Sequence, residues 1–455
     1  VARARFGTDG VRGVANADLT PELVLALGRA IARHLPSPAF VVGRDTRRSG
    51  PMLQAALAAG LAAEGADVVD VGVLPTPAVA WLAADRDLPG VVVSASHNPF
   101  PDNGVKVFAR GGLKLSMEHE AAIEGELARI LDPEVRGPRS PEGHAVGRVT
   151  VESGVGEGYT AHVAACIDGR RLDGVRLVVD CAHGAASGVA ADIYRHLGAG
   201  VVVIGDEPDG TNINAGCGSN DTAALAAAVV EHGADLGLAV DGDADRLTAV
   251  DASGALVSGD ELLALFAIDL AERGQLAGNT VVITLMTNLG FRFAMEERGI
   301  HVKETAVGDR HVLAALDADG LALGGEQSGH IIFRRLATTG DGLLTGLVLA
   351  DLVARHGRPL AGLLEGLMVR VPQVLVNVPV PDTELLAGAE AVWSAVAEEE
   401  ALLGDSGRVV LRPSGTEPLV RVMVEATGPG VAEQVAQRLG ALVGYELQVA
   451  AATAG

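Results

Sequence analysis

The feature that most limits how this chain can fold is a recurrence. Three times, a short apolar run of strand-forming residues stops abruptly in a polar, Gly-containing loop. Residues 90–93 run into Ser94, Ala95, Ser96, His97, Asn98 and Pro99. Residues 236–240 run into Asp241, Gly242, Asp243, Ala244, Asp245 and Arg246, and residues 321–323 lead to Gly325, Glu326, Gln327, Ser328, Gly329 and His330. Further strand patterns at 40–42, 68–71, 175–179, 201–204 and 281–284 alternate with helical stretches. Thr20 can cap one such helix, with Pro21 in its first turn and Leu23, Leu27 and Ile31 at helical spacing; another spans about 51–64. Short β-rich runs separated by helices predict α/β layers with a mostly parallel sheet. In such sheets ligands collect at the carboxyl ends of strands, which is where each unit carries its most polar loop.

The last stretch reads differently. Strand patterns at 373–378, 409–411 and 420–424 are interleaved with helical ones at 383–403 and about 431–443, and a Pro-containing linker precedes them at 371–372. This predicts a small α+β domain. A chain of 455 residues is long for one core, and the pattern divides it into domains at 1–150, 151–253, 254–370 and 371–455.

Composition narrows the class. Hydrophobic residues make up 48%, but many are Ala, and no stretch of membrane-spanning length is free of charge. The first residues lead into Phe6-Gly7 without an apolar signal core. The expectation is a soluble, cytoplasmic protein with no membrane partner. Three cysteines, Cys166, Cys181 and Cys217, have no Cys-x-x-Cys spacing, which argues against a disulfide framework or a zinc site. A net charge of -23 argues against a nucleic-acid partner. Small phosphorylated ligands stay open, because single loops can be basic on an acidic protein.

Three carboxylates as close as Asp241, Asp243 and Asp245 repel one another unless a cation neutralises them. An all-oxygen set favours Mg²⁺ or Ca²⁺. The loop is not an EF-hand, since Arg246 stands where the turn Gly belongs and Ala252 where the bidentate Glu belongs. A solvated acidic turn is the plain alternative. Ser96, at the end of a buried strand, reads in isolation as a turn residue; it lacks the surroundings of a hydrolase nucleophile. Phosphorylated, it would carry about two negative charges, which the Asp trio would repel directly but bind through a metal. Arg412, Ser414, Gly415 and Thr416 offer a guanidinium, hydroxyls and backbone N–H groups suited to a phosphate, with Arg421 on the next strand. Glu326, Ser328 and His330 alternate across a loop and could pair with adjacent sugar hydroxyls. Arg12 and Lys106 sit beside Gly-containing turns and complete the set.

Taken together, Phe6 to Gly13, Ser94 to Pro99, Asp241 to Arg246, Gly325 to His330 and Arg412 to Pro418 resemble the α-D-phosphohexomutase superfamily, and within it the bacterial phosphoglucosamine mutases. The loops occur in that family's order and span nearly the whole chain. The resemblance implies four domains around a central cleft, three α/β mixed-sheet domains plus a C-terminal α+β domain. It implies that Ser96, rather than Ser94, is the phosphoserine, and that Asp241, Asp243 and Asp245 hold Mg²⁺ together with the Ser96 phosphate. Glu326 and Ser328 would contact sugar hydroxyls with His330 nearby. Arg412, Ser414, Gly415, Thr416 and Arg421 would grip the phosphate that is not reacting, and Arg12, His97, Lys106 and Arg246 would line the transfer site. The implied reaction interconverts glucosamine 6-phosphate and glucosamine 1-phosphate through a 1,6-bisphosphate, feeding synthesis of UDP-N-acetylglucosamine and cell-wall precursors. A phosphomannomutase or phosphoglucomutase, and a non-catalytic sugar-phosphate-binding protein, are the alternatives. A homodimer is compatible with the sequence. Departures from the family pattern include His183 where Asn is usual, His311 where an aromatic is common, and Asn220-Asp221 after Cys217-Gly218-Ser219.

Overall fold

A computed structural model describes residues 6–7, 9–135, 139–414 and 418–454. Its strands form four separate sheets, of seven, five, four and three strands. In the first, Gly90–Val93 pairs in parallel with Ala39–Arg44 and antiparallel with Asp102–Ala109. In the second, Leu236–Val240 pairs in parallel with Arg176–Asp180 and antiparallel with Leu247–Asp251. In the third, Leu323–Gly325 pairs in parallel with Thr280–Thr284 and antiparallel with Ile331–Phe333. The mostly parallel expectation is therefore only half met: each sheet is parallel on one side of this strand and antiparallel on the other.

That reversal positions the site. In every case the polar loop connects the last parallel strand to an antiparallel neighbour, so no helix is interposed and the chain must turn back within a few residues. The three loops consequently occupy the same structural position in three successive units, at the carboxyl end of the strand where pairing direction changes.

Local sequence accounts for most element boundaries. Thr20 caps the helix Pro21–His34, its hydroxyl accepting from the Leu23 N–H at 3.3 Å, and Pro21 occupies the first turn. The helix after Ser49 spans Gly50–Ala63. Three expectations shift. The stretch 383–403 is not one helix but a 3-10 turn, Glu384–Gly388, followed by the helix Glu390–Leu403. The last helix runs Val431–Ala454, well past residue 443. Gly440 and Gly444 lie on its inner face, where an added Cβ would meet Val376 and Val378 at 3.2–3.4 Å. They let the helix lie close on the sheet. The strand expected at 321–323 is Leu323–Gly325.

One apolar core runs through the first three units, joining Val41 and Leu74 to Tyr159 and Leu238 and on to Phe266 and Phe291. The fourth sheet packs under its own cluster, which includes Val378, Val422, Leu439 and Val443. Its junction with the third unit is polar: buried Asn288 bonds the Val371 backbone through both its amide atoms at 3.0 Å and donates to Glu425 Oε1 at 2.8 Å. Among the described residues, no helix is long and apolar enough to cross a membrane, and all three cysteines are free.

Candidate active site

Ser96 is fully buried at the end of a strand whose four residues are themselves buried. Its backbone is left-handed, with φ +52°, a conformation unusual for a residue with a side chain. Its Oγ donates to Asp241 Oδ2 at 2.5 Å and lies 3.3 Å from His97 Nδ1. Ser94 is turned elsewhere; its hydroxyl donates to Asp45 at 2.6 Å and accepts the Ser96 N–H at 2.9 Å. Of the two serines, Ser96 is the one that faces the carboxylate trio.

The trio comes from the second unit. Asp241 and Asp243 are fully buried and Asp245 nearly so. The loop can come this close because residue 242 is Gly: a Cβ there would stand 2.7 Å from the Ser96 carbonyl oxygen and 2.7 Å from Ile213 Cδ1. Carboxylate oxygens of Asp241, Asp243 and Asp245 lie within 4.8 Å of one another. Burial, then the charges of Asp245 and Asp243, push the Asp241 carboxyl up to about 7. Lys106 offsets part of this, its ammonium 2.8 Å from Asp243, 3.0 Å from Asp245 and 3.1 Å from Asp9. Burial opposes its charge, but these carboxylates outweigh burial and raise its pKa well above the usual value. Asp243 Oδ1 and Asp245 Oδ1 remain buried with no hydrogen-bond partner among the described residues. An all-carboxylate set with two unsatisfied oxygens, beside a serine hydroxyl, fits a hard divalent cation.

Cations ring this point. Arg12 pairs with Asp9 and donates to Asn98 Oδ1 at 3.4 Å. Arg246 lies 3.8 Å from Asp245. Burial, then Arg246 and Arg12, depress His97 to about 4. The positive field that keeps this imidazole neutral is the field an incoming phosphate would meet.

The third unit adds Glu326, whose Oε1 accepts the Gly308 N–H at 3.0 Å, and Ser328, whose buried Oγ has no hydrogen-bond partner among the described residues. His330 is set deeper, 3.8 Å from Asp245 and 3.4 Å from Asp309. Its ring lies against these carboxylates. In the fourth unit Arg412 and Arg421 are directly paired residues on antiparallel strands. Burial, then Arg421, lower the pKa of Arg412. Two guanidiniums side by side are stabilised by an anion between them. Ser414 is buried, its N–H bonded to Leu419 O at 2.9 Å. Gly415 and Thr416 lie outside the described residues.

The structure thus brings Ser96, His97, Lys106, Arg12, Arg246, the Asp trio and His330 together, and sets Glu326 within the electrostatic reach of both Arg246 and Arg412. It also adds residues to which the motifs assign no role. Thr76 donates to Asp243 Oδ2 at 2.6 Å. Lys114 bridges Asp9 and Asp309, and Asp9 itself joins Arg12 to Lys106. His183, one of the departures, sits at φ +48°, where Asn and His are both better tolerated than most residues.

Comparison with known proteins agrees with this geometry. Four phosphoglucomutase/phosphomannomutase family profiles match in order: alpha/beta/alpha domain I over residues 3–133, domain II over 157–254, domain III over 258–371 and the C-terminal domain over 375–441. The phosphoglucosamine mutase of Thermobifida fusca is 54% identical over 452 residues, covering 98% of this chain and 99% of the relative. That of Saccharopolyspora erythraea is 55% identical over 446 residues, covering 96% and 98%. Among solved structures, a phosphoglucomutase/phosphomannomutase family protein from Burkholderia thailandensis superposes with a TM-score of 0.78 at 27% identity, over 96% of each chain. Aspergillus fumigatus N-acetylphosphoglucosamine mutase, solved with GlcNAc-6P and magnesium, shares the fold at a TM-score of 0.70 and 19% identity, over 97% of this chain and 96% of that one. The chain belongs to the phosphoglucomutase/phosphomannomutase family of α-D-phosphohexomutases, within its phosphoglucosamine mutase group.

Proposed function

We propose that this protein interconverts glucosamine 6-phosphate and glucosamine 1-phosphate, with Ser96 as the phosphoryl carrier and a sugar 1,6-bisphosphate as intermediate. The observation that carries the reading is the Ser96 hydroxyl 2.5 Å from Asp241, inside a buried trio two of whose oxygens have no hydrogen-bond partner among the described residues. Relatives matched end to end under the name phosphoglucosamine mutase supply the sugar.

Asp241, Asp243, Asp245 and Ser96 would hold Mg²⁺, which supplies neutralising charge to the phosphoryl group in flight. The remaining work belongs to the chain. Arg12, Arg246 and Lys106 draw phosphate toward Ser96, and His97 stays uncharged beside it. Phosphoryl transfer rests on alignment and charge, and the buried loop gives Ser96 one orientation. The P–Oγ bond to Ser96 breaks as a bond forms to the free sugar hydroxyl, whose lost proton is balanced by one taken up at the freed Ser96 Oγ. The bisphosphate then turns over, and Ser96 recovers the other phosphoryl group. Such a cycle needs one clamp that accepts either phosphate, for which Arg412, Ser414, Gly415, Thr416 and Arg421 are assigned. Glu326 and Ser328 hold ring hydroxyls, with His330 nearby as a further substrate-binding residue, its ring also 3.8 Å from Asp245. We divide the chain into units 1–150, 151–253, 254–370 and 371–455, acting in the cytoplasm, with a homodimer as the assembly to test.

Two measurements decide the matter. Intact mass before and after exposure to a sugar 1,6-bisphosphate should show one phosphoryl group on wild-type protein and none on Ser96→Ala, which should also lose turnover. A coupled assay with glucosamine, glucose and mannose phosphates should favour glucosamine; preference for glucose or mannose would overturn the substrate assignment.

A further inference from the structure

Behind Ser96 lies a buried cluster to which no motif assigns a role. Arg47 is fully buried, and all five of its side-chain N–H groups have acceptors. Nε donates to Asp45 Oδ2 at 2.8 Å. Nη1 donates to the carbonyls of Pro99 at 2.5 Å and Asp102 at 3.1 Å, and Nη2 to those of Ser96 at 2.9 Å and Asn98 at 2.7 Å. Four backbone carbonyls of one loop therefore converge on a single guanidinium, while Asp45 balances its charge.

Asp45 also reaches the loop from the other side. It accepts the Arg47 N–H at 2.9 Å and the Ser94 hydroxyl at 2.6 Å, and the Ser94 oxygen accepts the Ser96 N–H at 2.9 Å. Both peptide groups flanking Ser96 are tied down in this way, the N–H through Ser94 and the carbonyl through Arg47. Asn214, from the second unit, adds a 3.0 Å bond to the same carbonyl. None of the three residues Asp45, Arg47 and Ser94 touches Ser96 Oγ. What they hold is the left-handed backbone, φ +52°, which a non-Gly residue keeps only when its surroundings over-determine it. That backbone aims Oγ at Asp241.

We infer that Asp45, Arg47 and Ser94 are positioning residues for phosphoryl transfer, fixing Ser96 in its left-handed conformation. The inference rests on the reading of Ser96 as the phosphoryl carrier. A purely structural cluster would affect stability and leave the turnover of folded molecules alone. A positioning cluster lowers kcat while KM, set by groups elsewhere in the cleft, stays put; displacement on the order of 1 Å can cost ~100-fold in rate.

Two variants test this beside wild type and Ser96→Ala. Arg47→Lys keeps the charge but lacks the planar fork needed to hold four carbonyls and a carboxylate. Ser94→Ala leaves the Arg47–Asp45 pair in place and removes the acceptor for the Ser96 N–H together with the Ser94 hydroxyl's bond to Asp45, so it serves if Arg47→Lys does not fold. In folded protein, with folded fraction measured by calorimetry, each variant should show kcat lowered by ~10–100-fold at unchanged KM. Each should also take up a phosphoryl group from sugar 1,6-bisphosphate more slowly, as followed by intact mass. Wild-type kcat in either folded variant, with Ser96→Ala inactive, overturns the positioning role and leaves the carrier reading standing. A kcat loss matched by the loss of folded fraction also overturns it. Full turnover by Ser96→Ala overturns the carrier reading itself, and this inference with it.

Discussion

Replacing Lys106 with Met tests how the carboxylate cluster is kept ionised. The Lys106 ammonium lies within 2.8–3.1 Å of Asp243, Asp245 and Asp9 in a site almost closed to solvent. Removing one partner of such a buried set leaves uncompensated charge and costs about 3–5 kcal/mol. Met retains most of the side-chain volume, so little of the loss comes from a cavity. It corresponds to a midpoint drop on the order of 10 °C for the units involved. The pH dependence is more diagnostic. Burial raises the Asp245 carboxyl, but Lys106 and His330 together outweigh it and hold the group well below the usual carboxylate range. A depressed carboxyl stabilises the fold above its unfolded pKa of about 4, and that contribution is lost only as pH falls through the lower folded value. Without Lys106, the largest of these lowering influences is gone and burial drives the Asp245 carboxyl upward. A raised carboxyl has the opposite effect: it favours the folded state in acid and weakens it as pH rises through the folded value. Because the wild-type contribution is already complete at about pH 5, calorimetry in a chelating buffer should show a substantial deficit there, a larger one at about pH 8 and a smaller one below about pH 4. No deficit at either pH, or one that shrinks from about pH 5 to about pH 8, refutes the reasoning.

Three further perturbations probe separate parts of the site. Gly242→Ala places a Cβ 2.7 Å from the Ser96 carbonyl oxygen; it should lower stability by about 1–3 kcal/mol and kcat by more than that loss of folded protein explains, and an unchanged kcat counts against the close approach. Tyr159→Phe removes a 2.8 Å bond to Asp341 between the second and third units, worth about 1–3 kcal/mol. Burial pushes Asp341 up to about 6, so the midpoint deficit should be larger above that pH, where the carboxylate is charged, than below it; the reverse ordering would exclude Asp341 as the cause. Arg412→Met relieves repulsion from Arg421 and should leave the unfolding midpoint unchanged or higher while raising KM for the sugar phosphate. An unchanged KM would remove Arg412 from the phosphate clamp.

The sequence made legible those residues whose chemistry is announced by a loop at a strand end. Ser96, Asp241 to Arg246 and Glu326 to His330 each follow an apolar run, and the sheet reversals show why that position recurs. Asp9, Thr76 and Lys114 carry no such mark. Lys114 sits on a two-residue strand, Leu113–Lys114, and only tertiary pairing sets it between Asp9 and Asp309. Arg47 was within reach of the same rule, since the loop holding Asp45, Thr46 and Arg47 follows the strand Ala39–Arg44. Its string of charges reads, in isolation, as a solvated surface. Complete burial turns it inward, and burial is a property of the assembled sheet. The last helix shows the limit for fold: Gly444 interrupts a propensity pattern, yet tertiary packing against Val378 favours a small residue there.

Two clusters in this molecule bring like charges close together, and each would gain from a ligand of opposite charge. Asp241, Asp243 and Asp245 set like charges at the end of a strand in the second unit, and burial together with the two neighbouring carboxylates raises Asp241 to about 7. Arg412 and Arg421 do the same with opposite sign in the fourth, with the Arg412 guanidinium lowered. Neither cluster is needed to close its sheet, since apolar residues on the same strands do that. A fold selected for stability alone would have removed both. On the proposed reading, a divalent cation would relieve the acidic trio and tolerate a phosphate on Ser96, and a phosphate would relieve the arginine pair. A ligand with phosphate at both ends satisfies the two clusters at once, provided it can lie with either end toward Ser96. With Ser96 proposed to transfer and the arginine pair proposed to hold, the two roles fall to different units, so reversal of the sugar would change which phosphate each one meets and leave the protein's own charges where they are.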